Sequence, residues 1–233
     1  MNWQQYWNRG DIIKAEDFCK QVGRTQNQKN YSEEQISVLT ARIVDFLKAA
    51  SEKTVLELAC GNGMMTHRIA PHFKSIKAID FSGQLIEIAS AHFAAKNIEY
   101  VVGNALELDS EATHYDCILV YFAFQYFDTS QARVLFNHFR RLLKPSGLVL
   151  LGEVADGDRM WNFYHGLSGK WRYYVDRLRG KPIIGQWWKA SDLIKLSEQY
   201  GFNTTVFYQP DNLPNHYFRY DAVLQFSSSV ARP

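Results

Sequence analysis

Between residues 54 and 153 short apolar runs alternate with amphipathic helical patterns, and this alternation restricts the chain to one broad architecture. The apolar runs are TVLELA, SIKAID, IEYVVG, YDCILVYF and LVLLGEV. Helical patterns start near Gly63, Ser82 and Thr129, the last with Ala132, Leu135, Phe136, Phe139 and Leu142 on one face. Runs with so little polar alternation suit strands covered by helices on both sides. Joined by right-handed crossovers, they predict an α/β fold with a doubly wound, mostly parallel sheet. Pro145-Ser146-Gly147 predicts a turn into the fifth strand.

The flanks read differently. Residues 1–31 are polar and aromatic and end in the loop-like GRTQNQKNY. Ser32 and Gln35 predict a capping box for a helix reaching about Ala50, with Ile36, Leu39, Ile43 and Leu47 at helical spacing. Beyond Glu153, residues 156–188 crowd Trp161, Phe163, Tyr164, Trp171, Tyr173, Tyr174, Trp187 and Trp188 among basic side chains. Ser191 is expected to cap a helix that stops at Gly201, followed by two strand-like runs, NTTVFYQ and YDAVLQF. At 233 residues the chain fits a single domain. Its expected parts are an N-terminal helical cap (1–50), a ligand-binding core (51–155), an aromatic lid insert (156–190) and a last helix with a hairpin (191–226).

Composition narrows the class. A formal charge of +2 gives no overall field to attract nucleic acid or a membrane. Cys19, Cys60 and Cys117 have no metal-ligand spacing and read as free thiols of a reducing compartment. MNWQQYWNRG lacks a signal-peptide layout, and no apolar run is long enough to span a bilayer. A cytoplasmic protein without a membrane or nucleic-acid partner is expected, its oligomeric state open, with a homodimer among the options.

The segment richest in chemistry is Val55-Leu-Glu-Leu-Ala-Cys-Gly-Asn-Gly63, a strand running through a glycine turn into a helix. Gly61 and Gly63 let backbone approach a ligand where a Cβ would collide. Thr66 stands where a dinucleotide fingerprint needs its third glycine. Glu57 lies inside the first strand, where a buried carboxylate needs a cation or strong hydrogen bonds. Asp80 ends the second strand, where a carboxylate can accept from two vicinal ribose hydroxyls.

E-L-A-C-G-N-G followed by a strand ending I-D-F-S resembles the class I S-adenosylmethionine-dependent methyltransferases, over about residues 52–226. The resemblance implies S-adenosyl-L-methionine as cofactor and a strand order 3-2-1-4-5-7-6 with an antiparallel last strand. It implies that Glu57, Ala59, Gly61 and Gly63 lie along the cofactor's amino-acid part, that Asp80 holds the ribose, and that Phe81 lies against the adenine. Asn104, Ala105 and Leu106 would flank the adenine, Asn104 standing where the family often has Asp. Tyr121 and the Phe122-Ala-Phe-Gln-Tyr that follows it would line the methionine side.

For methyl transfer the protein chiefly aligns acceptor, methyl and sulfur, and a base helps when the acceptor is a hydroxyl. His165, in the insert, and His216, between the last two strands, are the candidate general bases. The absence of an acid after the fourth strand before Asp128 argues against a catalytic metal; Glu153, Asp156 and Asp158 are expected to cap loops or meet Arg159, Arg172 or Arg177. The insert is open to readings as a lid over the acceptor, an oligomer contact, a nucleic-acid stacking surface or plain packing. Residues 1–31 either close over the cofactor, with Arg24 and Tyr31 near its methionine end, or form a packing arm. The leading function is methyl transfer to a small-molecule acceptor, oxygen slightly ahead of nitrogen. A nicotinamide-dependent oxidoreductase, an RNA or DNA methyltransferase and a non-catalytic binding module are the alternatives.

Overall fold

The computed structural model describes residues 3–8, 17–26, 29–108, 114–180 and 183–227. Seven strands build the main sheet: β1 (Thr54–Leu58), β2 (Ser75–Asp80), β3 (Ile98–Val102), β4 (Tyr115–Tyr121), β5 (Leu143–Ala155), β6 (Phe202–Tyr208) and β7 (Arg219–Phe226). Their order is β3-β2-β1-β4-β5-β7-β6. Strands β1 to β5 are parallel, and β7 runs antiparallel to both of its neighbours. This is the order and the antiparallel last strand that the resemblance implies.

Side chains of β1 and β4 alternate between two cores, as strands buried on both faces require. Leu56, Leu58, Ile118 and Val120 face one core, with Phe136 and Phe139 of α6 (Thr129–Leu142) and Leu193 of α9 (Ala190–Glu198). Val55, Cys117 and Leu119 face the other, with Ile36, Leu39 and Ile43 of α3 (Glu33–Phe46), Ile69 of α4 (Met64–Ile69) and Ile86 of α5 (Gly83–His92). The capping box of α3 forms as expected: Gln35 N–H donates to Ser32 Oγ at 3.2 Å, and Ser32 N–H to Gln35 Oε1 at 2.9 Å.

Three local expectations need correction. Residues 25–30 are not all loop: Thr25–Gln26 and Lys29–Asn30 pair antiparallel. Pro145-Ser146-Gly147 lies within β5, where the pairing jumps from Tyr115↔Leu143 to Cys117↔Leu148, so the turn residues bulge out of a continuing strand. Ser191 does not cap α9; the cap position is Lys189, which makes no side-chain capping bond. Among the described residues no helix is long and apolar enough to cross a membrane.

Candidate active site

Parallel strands deliver their carboxyl ends to one edge of the sheet, and the backbone there is contorted. Ala59 (φ 59°), Phe122 (φ 61°) and Glu153 (φ 53°) are non-glycine residues in the left-handed region, at or near the ends of the neighbouring strands β1, β4 and β5. Each such residue costs roughly 1–3 kcal/mol, and strain of this kind gathers where ligands are held. Gly61 and Gly63 share that conformation at φ 61° and 76°. A Cβ on Gly63 would come within 2.5 Å of the Tyr100 hydroxyl and 2.8 Å of Ala89 Cβ. Gly63 therefore serves the seating of α4 on its neighbours.

A cleft opens at these strand ends. Glu57, Ala59, Gly61, Asp80, Phe81 and Tyr121 line it, joined by Cys60, Met64, Met65, Phe122 and Tyr126. A second compartment continues from it past Gly103, Asn104, Ala105, Leu106 and Gln131. The two share Trp3, Ala59, Asp80, Phe81, Ala123 and Tyr126 as their common wall. The structure thus brings together nine of the ten expected cofactor residues; Gly63 lies on neither lining.

The carboxylates of the cleft are set by burial. Asp80 Oδ2 accepts from Gly61 N–H and Oδ1 from Ser82 N–H, both at 2.9 Å. Each oxygen keeps a lone pair for a further donor. Burial raises the Asp80 pKa above the ordinary carboxylate value. Glu57 is buried, and burial, with the Asp80 charge adding to it, pushes its carboxyl up to about 7. The Thr66 hydroxyl, hydrogen-bonded to the Glu57 side chain, opposes that rise. A buried carboxylate on a cleft wall is matched by a cationic group of a ligand. Asn104 is locally engaged: its Oδ1 accepts from Leu106 N–H at 3.0 Å and its Nδ2 donates to Glu107 Oε1 at 2.9 Å.

Across the cleft, Arg24 is the only cation among the described residues on the lining of the first compartment. It pairs with Glu153, and both side chains are buried. Arg24 stacks 4.2 Å from the Phe122 ring centroid, and Arg219 stacks on the same ring at 4.4 Å. Arg219 donates to Gln125 Oε1 at 2.6 Å and to the Glu153 carbonyl. Burial lowers its pKa to about 10. Asp221 accepts from Glu153 N–H at 2.8 Å and holds Arg42 at 2.5 Å. Within this network three buried or half-buried arginines, Arg24, Arg42 and Arg219, stand with two carboxylates, Glu153 and Asp221.

The cleft is roofed by the N-terminal segment. Trp3 and Trp7 of α1 (Trp3–Trp7) line it, with ring centroids 4.5 and 5.6 Å from that of Tyr126. Ser82 Oγ donates to Asn8 Oδ1 at 2.6 Å, tying the end of α1 to the turn after β2. Asn62, inside the glycine turn, donates to the Phe18 carbonyl and to Gln21 Oε1 of α2 (Phe18–Gln21), at 2.9 and 2.8 Å. Between Arg24 and Tyr31, the two residues expected near the methionine end, only Arg24 reaches the lining. Tyr31 is buried behind it and accepts from Asn215 Nδ2 at 2.5 Å. Residues 9–16 of the segment fall outside the described residues.

Several expected site residues lie elsewhere. His165 is exposed at the N-terminal cap of α8 (Gly166–Leu178), and neither it nor His216 is on the lining. His216 Nδ1 lies 2.7 Å from the Leu213 carbonyl, which takes up one ring nitrogen locally. No aromatic side chain of the insert lines the cleft either, so the expected lid over the acceptor is not where the structure puts those rings. Phe163 and Trp187 pack with Phe218 in a satellite cluster, and Trp188 enters the main core against Phe124. Glu153 meets Arg24 rather than a basic residue of the insert. Asp156 does cap locally, accepting from Asp158 N–H at 2.9 Å, with Arg159 at 3.7 Å; Asp158 pairs with Lys189 at 3.1 Å. The Arg24–Glu153 pair and the two methionines of α4 had no signal in the sequence, since their meeting depends on segments far apart in the chain.

Residues 55–147 match the family model described as a methyltransferase domain. Over that stretch the chain is similar to methyltransferase domains. Over 116 residues it is 33% identical to a demethylmenaquinone methyltransferase of Thermotoga maritima, a match covering 48% of each protein. The chain therefore spans about half the length of that curated relative. A ubiquinone biosynthesis O-methyltransferase of Coxiella burnetii is 22% identical over 214 residues, covering 89% of this chain and 82% of that one. Among solved structures, the N-methyltransferase NodS of Bradyrhizobium japonicum, in complex with S-adenosylhomocysteine, superposes with a TM-score of 0.68 at 16% identity, covering 98% of this chain and all of NodS. At that identity the likeness speaks for the fold alone. The matched residues include the glycine turn, Asp80, the Asn104–Leu106 wall and β4, and the roof over them comes from outside residues 55–147.

Proposed function

We propose that this chain transfers a methyl group from S-adenosylmethionine to a hydroxyl of a small-molecule acceptor. One observation carries the proposal: two compartments meet at Asp80, one lined by the buried Glu57 carboxylate and Arg24, the other walled by Asn104, Ala105 and Leu106. Such a cleft suits a long ligand with a polar, charged end and a flat ring. Asp80 accepts from a diol with the lone pairs its two backbone donors leave free. Phe81 and Leu106 give the flat ring apolar walls, and Glu57 receives an ammonium. The Arg24 guanidinium, on the cleft lining, receives a carboxylate. Bound there, S-adenosylmethionine supplies a methyl group activated by its sulfonium.

The aromatic wall of Trp3, Trp7, Tyr121, Phe122 and Tyr126 favours an apolar, planar acceptor and keeps water from the reacting atoms. Burial holds the Tyr126 hydroxyl up at about 12, so that Tyr126 stays a neutral hydrogen-bonding group. Neither His165 nor His216 is assigned a role, and alignment of the acceptor supplies the barrier lowering, of the order of 7–11 kcal/mol. The free thiols of Cys19, Cys60 and Cys117 fit a cytoplasmic setting.

Titration calorimetry of the purified chain with S-adenosylhomocysteine tests the proposal. Binding is expected, weakened about ten- to hundredfold in Asp80→Ala, the range for hydrogen bonds to a charged group. A folded chain that ignores this ligand and instead binds NAD would overturn it.

A further inference from the structure

Helix α8 has no buried residue in any of its 13 positions. Its inward side is formed by Gly169, Tyr173 and Asp176, with Tyr173 packed edge-on against Tyr164 at 5.1 Å and Trp161 at 5.5 Å. The opposite side carries Leu167, Trp171, Tyr174 and Leu178, which are 88%, 73%, 56% and 88% exposed. These four stand at i, i+4, i+7 and i+11, within an arc of about 60° on the helix. They form a continuous apolar stripe aimed at solvent. Single exposed apolar residues need no explanation, but an ordered stripe of this kind does.

The charges around the stripe say what covers it. Lys170 and Arg177 border it on one side, and Arg172 and the capping Arg179 lie beyond Val175 on the other, all four exposed. The one acid of the helix, Asp176, is turned inward and sits 3.5 Å from Arg172. A second copy of this chain docked through a two-fold axis would bring Lys170 and Arg177 against the same basic residues, which is repulsive. Stacking on nucleic-acid bases would use Trp171 and Tyr174 but leave Leu167 and Leu178 without a partner. A leaflet of anionic lipid satisfies all eight side chains. Leucine enters the acyl boundary, tryptophan and tyrosine sit at headgroup depth, and the flanking cations meet the phosphates.

We propose that α8 is an interfacial helix that docks this chain, reversibly and without spanning, on an anionic membrane surface. The whole-chain charge of +2 hides a local excess, in α8 and its capping Arg179, of four basic residues against one acid. The proposal stands apart from the methyl-transfer assignment, since no residue of α8 lines the cleft.

Cosedimentation of the full chain with phosphatidylglycerol–phosphatidylcholine vesicles tests it. Binding is expected with these vesicles, weaker with phosphatidylcholine alone and in high salt. Both Trp171→Glu/Leu178→Glu and Lys170→Glu/Arg177→Glu should bind about tenfold less or weaker. Calorimetry with S-adenosylhomocysteine, unchanged in both variants, shows that the fold is intact and separates this test from the cofactor's. Absence of wild-type vesicle binding overturns the proposal, as does equal binding by the variants. A dimer that Trp171→Glu/Leu178→Glu dissociates, without vesicle binding, would assign the stripe to a second copy. Tight binding of a single-stranded RNA oligonucleotide in place of vesicles would assign it to nucleic acid.

Discussion

Two segments of this chain are unusually rich in large aromatic residues, and the fold uses them in opposite ways. In α1, Trp3 and Trp7 turn inward over the cleft and pack on Tyr126. In α8, Trp171 and Tyr174 turn outward among arginines and a lysine. The chemistry of the side chains is similar; the difference lies in what each helix is fastened to. The N-terminal segment is pinned to the glycine turn and to the β2 end by Asn62 and Ser82. The insert is fastened at its far end, where Trp188 enters the core and Gln186 N–H donates to the Gln125 carbonyl at 2.7 Å. Helix α8 lies ahead of those attachments in the chain and buries none of its residues. Aromatic content alone therefore says that a segment has a surface to bury, and its anchors decide which.

Variants that separate anchor from surface put this contrast at risk. The largest effect is expected at the anchor of the insert. Trp188→Ala removes a buried ring packed at a tilt against Phe124 and should cost about 3–5 kcal/mol in urea unfolding. A cost below 1 kcal/mol would mean that the insert is not fastened there.

The floor under the roof comes next. Glu57 is raised to about 7 in the folded chain, against about 4.5 when unfolded. Between those values the native state binds more protons than the unfolded state, so stability falls as pH rises through this window, by up to roughly 3 kcal/mol. A cation bound at Glu57 favours its charged form. Cofactor affinity should therefore rise with pH up to about 7, by as much as about tenfold per unit, and level off above. Glu57→Gln should flatten that dependence. In Trp3→Ala/Trp7→Ala, water reaches the floor and the midpoint should move down towards the ordinary carboxylate value. An unmoved midpoint would mean that α1 is not the roof.

The smallest effects complete the comparison. Trp7→Ala should weaken S-adenosylhomocysteine binding by about 1–2 kcal/mol, in line with the loss of one aromatic contact and its water exclusion. Trp171→Ala should leave both that affinity and the unfolding free energy within about 0.5 kcal/mol of the parent. Equal effects of the two substitutions would erase the distinction between the helices.

Much of the site was legible because parallel sheets present their strand ends at one edge. Once TVLELA and SIKAID are read as adjacent strands, Glu57, Gly61 and Asp80 have to meet, whatever the loops do. The histidines were misjudged for a related reason. His165 and His216 follow strands that end at that edge, but both loops turn their imidazoles away, and loop conformation leaves no periodic trace in sequence. The Arg24–Glu153 pair joins residues 129 positions apart and could not be paired without the fold.

Local periodicity and turn chemistry, both written in neighbouring residues, determined the α/β alternation, the capping box at Ser32 and the glycine turn. The resemblance built on them carried the strand order. Only tertiary structure decided which aromatic helix closes the cleft, which guanidinium a buried carboxylate meets, and why Gly63 has to be glycine. Those outcomes depend on which distant segments share a volume and which side chains are kept from water, and such long-range geometry is set by packing the whole chain at once.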